Sequence, residues 1–168
     1  MSIEDLRLER RGDRWRIAVD EVYPTDRADL WSACTDLHRL RRWMADYRGD
    51  LRLGGRWEAM SDGEVWGAGT VTACEPMEGF TSTWEVEGEP SSTLVVRLED
   101  AEGGTRLVLE HDGMTGAFYS AGWAVYLGML ADHVVAPTRE DLASVGFETR
   151  FSPARERWAP RVAAAGLD

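Results

Sequence analysis

The sequence contains no lysine and no asparagine: all 19 basic residues are arginine, and 30 acids outnumber them for a formal net charge of −11. This shortage of positive charge argues against nucleic-acid and membrane-surface partners, since the excess carboxylates repel phosphates and anionic lipid heads. No stretch approaches the apolar length needed to span a bilayer, and Glu4 and Asp5 stand where a secretory leader needs cations, so the chain is expected in the cytoplasm. Cysteine is scarce too. Cys34 and Cys74 read as small buried hydrophobes rather than a disulfide. None of the three histidines has a second His or Cys at ligand spacing, so no metal is expected. There is no nucleophile elbow, phosphate loop, dinucleotide fingerprint, zinc motif or iron–sulfur pattern, and no cofactor is implied. Without an internal repeat or composition break, 168 residues that are 43% hydrophobic read as one domain with a substantial core.

Tryptophan is what the chain has in excess: eight, of which Trp57, Trp66 and Trp84 fall on expected strands and Trp123 opens an expected helix. Residues 15–20 alternate with a two-residue period and form the first strand. Asp26 and Asp36 then cap two short helices, the second ending near Trp43. Residues 53–59 and 65–71 flank an Asp62-Gly63 turn and read as a hairpin. Residues 80–86, 93–98 and 105–111 continue the antiparallel sheet, with a turn at Gly103-Gly104. Tyr119, Trp123, Tyr126, Leu127, Leu130 and Val134 recur at helical spacing and give a long amphipathic helix stopped by Pro137. Thr138 onward and Ser152-Pro153-Ala154-Arg155-Glu156 each carry a helix-start signature, so two short C-terminal helices are expected.

Read in order, Val22-Tyr23-Pro24, Leu30-Trp31, Thr35-Asp36, Trp43, Leu53-Gly54-Gly55-Arg56-Trp57, Gly69-Thr70-Val71, Glu75-Pro76, Thr83-Trp84, Gly104-Thr105-Arg106-Leu107, His111 and Gly122-Trp123 resemble the SRPBCC superfamily. More narrowly they resemble its bacterial branch named after activators of the heat-shock ATPase. The resemblance implies an α+β helix-grip fold, as in birch-pollen allergens and START domains: a curved antiparallel sheet of about six or seven strands wrapped around a long C-terminal helix. It also implies two short helices after the first strand and a cavity for an apolar small molecule between sheet and long helix. Residues 1–137 would form this domain and residues 138–168 a helical extension packed on it, where Trp158, Val162 and Leu167 either cover the cavity mouth or make a homodimer contact. Superfamily members include lipid carriers, hormone receptors, aromatic polyketide cyclases and ring hydroxylases.

The expected ligand-binding set is Trp57, Trp66, Trp84, Leu94, Val96, Leu109, His111, Tyr119, Trp123, Tyr126 and Leu127, which alternation and helical spacing aim at the cavity. His111 shares a strand face with Leu107 and Leu109 and is either a general acid–base and ligand donor or a structural histidine bonded to a backbone carbonyl. Tyr119 and Tyr126, seven apart, either reach into the pocket as proton donors or turn their tips to water. Glu58 and Glu85 oppose Trp57 and Trp84 and are expected to face solvent, and His38 and His133 are expected at the surface. Three functions fit: a binder of a hydrophobic, aromatic or polycyclic small molecule; a cofactor-independent polyketide cyclase or aromatase with His111, Tyr119 and Tyr126 as catalytic candidates; or a chaperone-associated interaction module, which requires an exposed apolar patch.

Overall fold

A computed structural model describes residues 6–116, 118–137 and 143–164. Eight antiparallel strands form one sheet in the order β1-β2-β8-β7-β6-β5-β4-β3. They are β1 (Arg7–Arg11), β2 (Arg14–Tyr23), β3 (Asp46–Gly49), β4 (Arg56–Ser61), β5 (Glu64–Glu75), β6 (Gly79–Trp84), β7 (Ser92–Ala101) and β8 (Gly104–Met114). The helices are α1 (Arg27–Thr35), α2 (Leu37–Trp43), α3 (Phe118–Val135) and α4 (Ala143–Ala164).

The strand count exceeds the six or seven expected because the sheet carries an extra strand at each edge. In β1 only Leu8 is not exposed, and in β3 only Tyr47 is buried, so neither shows the apolar alternation of an interior strand. Short, charged edges also deter pairing with another chain. Inside the sheet, alternation becomes register. Leu8, Ile17, His111, Leu94, Ser82 and Val71 lie side by side across β1, β2, β8, β7, β6 and β5. The β4–β5 hairpin turns at Asp62-Gly63, both at positive φ (50° and 83°), as a two-residue primed turn requires.

Asp26 and Asp36 cap as expected. Asp26 accepts the backbone N–H of Asp29, and Asp36 accepts those of His38 and Arg39 while its own N–H closes α1 onto Ser32. The long helix departs from the amphipathic expectation: Tyr119, Ala121, Trp123, Ala124, Val125, Leu127, Met129 and Leu130 are all buried, leaving α3 no broad polar face. The reason is α4, which packs along it and buries Ala154 and Trp158.

In place of two short C-terminal helices, α4 is one helix with Pro153 and Pro160 inside it. Both prolines are exposed and seven residues apart, so they lie on one outer face. Packing on α3 sustains the helix through them. The Thr138 helix start, residues 138–142, and Leu167 lie outside the described residues.

Candidate functional site

His111 is fully buried at the centre of the sheet. The Trp123 Nε1–H donates to its Nδ1 at 2.9 Å, and its Nε2 lies 2.8 Å from the Ser92 hydroxyl. An indole N–H only donates, so Nδ1 is the acceptor, Nε2 carries the proton, and the ring is neutral. Ser92 accepts from Nε2 and donates its own O–H to the Trp84 carbonyl at 3.4 Å. Burial pushes the imidazole pKa down to about 3. A backbone carbonyl was the expected structural partner of this histidine; a hydroxyl and an indole hold it instead.

Around His111 the aromatic rings touch in series. Tyr47 lies 5.3 Å from Trp57, Trp57 5.3 Å from Trp84, Trp84 5.6 Å from Trp123, and Trp123 6.1 Å from Tyr126. Three of the indoles are pinned: Trp57 donates to Ser82 Oγ (2.8 Å), Trp43 to the Ala33 carbonyl (2.9 Å) and Trp123 to His111. The Trp84 N–H is buried without a well-formed hydrogen bond and lies beside the Tyr119 phenol. Gly69 lies opposite Trp57, and a Cβ there would fall 2.6 Å from the indole and 2.1 Å from the Thr83 carbonyl oxygen, so the ring needs glycine beneath it. Trp66 is the extra residue at a bulge where the β4–β5 register shifts, and it lies 5.9 Å from Trp84.

Two chambers result, with Trp84 and Trp123 in the walls of both. The inner chamber, about 70 Å³, lies between the sheet and α3 and takes in Trp57, Leu94, Val96, Leu109 and Leu127 from the expected set. The mouth pocket, about 330 Å³, takes in Trp66, Tyr119 and Tyr126. Only His111 of the expected residues lines neither; it stands behind Trp84, Trp123 and Tyr119 at 5.4 to 5.9 Å between ring centroids. Sequence reasoning missed Trp43, Tyr47 and Phe80 in the inner wall and Phe147 at the mouth. Phe147 stacks on Tyr126 at 4.8 Å and brings α4 into the pocket wall. Trp158 is buried within the chain.

Ser61 and Tyr119 are polar groups in the mouth wall, and the phenol is bonded in turn to a carboxylate. Tyr119 donates to Glu89 Oε2 at 2.6 Å. Burial, reinforced by that carboxylate, raises the Tyr119 pKa, while the nearby Trp84 indole opposes the rise. Glu89 lies between β6 and β7, where no periodicity marks it. Glu58 is exposed, and Glu85 is partly exposed and paired with Arg56 at 2.8 Å. Burial lifts the Cys34 thiol to about 12, which makes it an inert part of the inner wall.

His38 is exposed, but His133 is buried, contrary to expectation. Its Nε2 accepts from Arg39, which also bonds Asp29, so the residues at the end of α3 are packed against α1 and α2 rather than left in water. Burial and then the charges of Arg39 and Arg42 lower its pKa, against Asp29. Among the described residues no three His, Cys, Asp or Glu side chains gather as metal ligands.

A curved antiparallel sheet gripping a long helix around aromatic-walled chambers defines a helix-grip protein of the SRPBCC superfamily. Within it the chain belongs to the family described as Activator of Hsp90 ATPase homolog 1-like protein, which matches residues 24–134. Among solved structures it is similar to CalU16 from Micromonospora echinospora. The crystal structure has 28% identity and a TM-score of 0.67, covering 89% of this chain and 97% of that one. For the solution structure the values are 27% and 0.75, with 95% of each chain covered. DynU16, from the dynemicin biosynthetic locus, is 24% identical with a TM-score of 0.66, over 75% of this chain and half of its own (50%). The Aha1 dimer from Colwellia psychrerythraea is 20% identical with a TM-score of 0.64, over 73% of this chain and 98% of its own. These last two speak to the fold alone. No curated protein matches the chain at a significant level.

Proposed function

We propose that the protein binds a hydrophobic, aromatic or polycyclic small molecule between sheet and long helix, through the mouth pocket. The observation that carries this reading is a pocket of about 330 Å³ walled by aromatic rings and backed by the inner chamber. Its volume falls within the range of roughly 300–1,000 Å³ typical of small-molecule sites. The inner chamber, at about 70 Å³, is too small to hold such a ligand by itself. Native mass spectrometry of freshly purified protein, with tryptophan-fluorescence titration against aromatic polyketides, sterols and fatty acids, tests it. A retained mass or a saturable quench that Trp66→Ala weakens is expected. No retained mass and no saturable change across the panel would sink the reading.

Cofactor-independent cyclase or aromatase chemistry is a second reading, favoured by the Tyr119 phenol, which lines the pocket and is bonded to the Glu89 carboxylate. Turnover of a bound substrate that disappears in Tyr119→Phe with binding retained supports it; equal turnover in the variant removes Tyr119 from the chemistry. A chaperone-docking role is less well supported. Among the described residues, the exposed large hydrophobics Leu53, Val65, Met77 and Val135 fall on four different segments.

A further inference from the structure

We infer that the mouth pocket selects a cation: a protonated amine or quaternary ammonium carried on a hydrophobic body. This rests on the small-molecule reading above and specifies the chemistry of its ligand. Among the described residues six rings wall the pocket, those of Trp66, Trp84, Tyr119, Trp123, Tyr126 and Phe147. A slot for a flat neutral disc needs two near-parallel faces, whereas Trp66 meets Trp84 at 55°, Trp84 meets Trp123 at 56° and Trp123 meets Tyr126 at 65°. These walls form a cup. Aromatic faces carry negative electrostatic potential, and several of them converging on a compact volume attract a positive group.

Glu89 supplies the formal charge. Its Oε2 is bonded by Tyr119 at 2.6 Å, and among the described residues no arginine forms an ion pair with it. Several acids on the sheet, by contrast, have an arginine against them: Glu85 has Arg56, Asp20 has Arg106, Glu110 has Arg16 and Asp112 has Arg11. Tyr119 lines the pocket and donates its O–H to Glu89, which couples the pocket wall to that carboxylate. Among the described residues no basic side chain lines the pocket. His111, behind Trp84 and Trp123, is held neutral by the Trp123 N–H and contributes no opposing charge. The chain's net charge of −11 adds a long-range field of the same sign. An anion in the cup would be repelled by Glu89, one hydrogen bond beyond the Tyr119 wall, and a neutral ligand would gain only from apolar contact.

The test uses three ligands of one shape and different charge: 1-naphthylmethylammonium, 1-naphthylmethanol and 1-naphthylacetate, titrated by calorimetry and saturation-transfer NMR into the full chain. The ammonium should bind about tenfold tighter than the alcohol, with the carboxylate weakest. Glu89→Gln should keep the alcohol's affinity and lose most of the ammonium's advantage, and an unchanged thermal unfolding midpoint would show that this is not a folding effect. Equal binding of alcohol and ammonium, or an advantage that survives Glu89→Gln, overturns the inference and leaves the small-molecule reading standing. Binding by none of the three also overturns it, and the polyketide, sterol and fatty-acid panel then decides the underlying reading separately.

Discussion

At the scale of single residues, His111 shows how one side chain can satisfy a sequence pattern and still do something other than the pattern suggests. Alternation with Leu107 and Leu109 put it on the cavity-facing side of its strand, and it is there. Position could not reveal the Trp123 indole lying in front of it or the Ser92 hydroxyl one strand away, because both contacts join distant parts of the chain. Held neutral with a pKa of about 3 against an ordinary value of 6.5, the ring binds its proton in the unfolded chain first. Between those values the unfolded state carries the extra proton, so stability falls as pH drops from about 6.5 toward about 3, by up to about 1.4 kcal/mol per pH unit. Chemical denaturation at pH 7.5 and pH 5.0 should show His111→Gln losing less stability on acidification than the parent. Equal losses would mean that His111 does not govern the acid side of the stability curve. His133, whose pKa is also lowered by burial, titrates in the same direction in both proteins and cancels in the comparison.

At the scale of elements, legibility followed the strength of the local signal. Asp36 is the clearest case: its carboxylate accepts two backbone N–H groups at the start of α2, and its own N–H ends α1. Asp36→Ala should cost about 1 kcal/mol and Asp36→Asn only a fraction of that, since the amide oxygen can still accept; urea unfolding reads both. Matching losses in the two variants would show that charge near the helix start matters more than the cap. Edge strands β1 and β3 carried no comparable signal, because an edge is paired on one side and needs no apolar alternation. In α4 a local rule misled. Ser-Pro followed by Glu is a helix start in isolation, but here Pro153 occupies an exposed position within a helix already packed on α3, and tertiary contact outweighs the missing backbone bond.

For the whole molecule, the order of strands and helices was sufficient to infer a sheet folded around a helix, but not what fills the space between them. That space is divided. Trp84 reaches from the end of β6 to touch Trp57, Trp66, His111 and Trp123, and it closes the inner chamber of about 70 Å³ from the mouth pocket of about 330 Å³. Unlike Trp43, Trp57 and Trp123, it has no well-formed hydrogen bond at its N–H and is held chiefly by packing. The division therefore sets how long a ligand the site accepts. Trp84→Ala should cost about 3–5 kcal/mol of stability through lost contacts and the cavity left behind, while joining the two chambers. With a series of methylammonium ligands on naphthalene, anthracene and pyrene bodies, the parent should bind the shortest tightest and fall off with length. In Trp84→Ala the order should shift toward the longer members, because the space vacated continues into the sheet–helix interior. Calorimetry on the two proteins reads this directly, and a variant that keeps the parent's order at lower affinity would show that Trp84 supports the pocket without setting its depth.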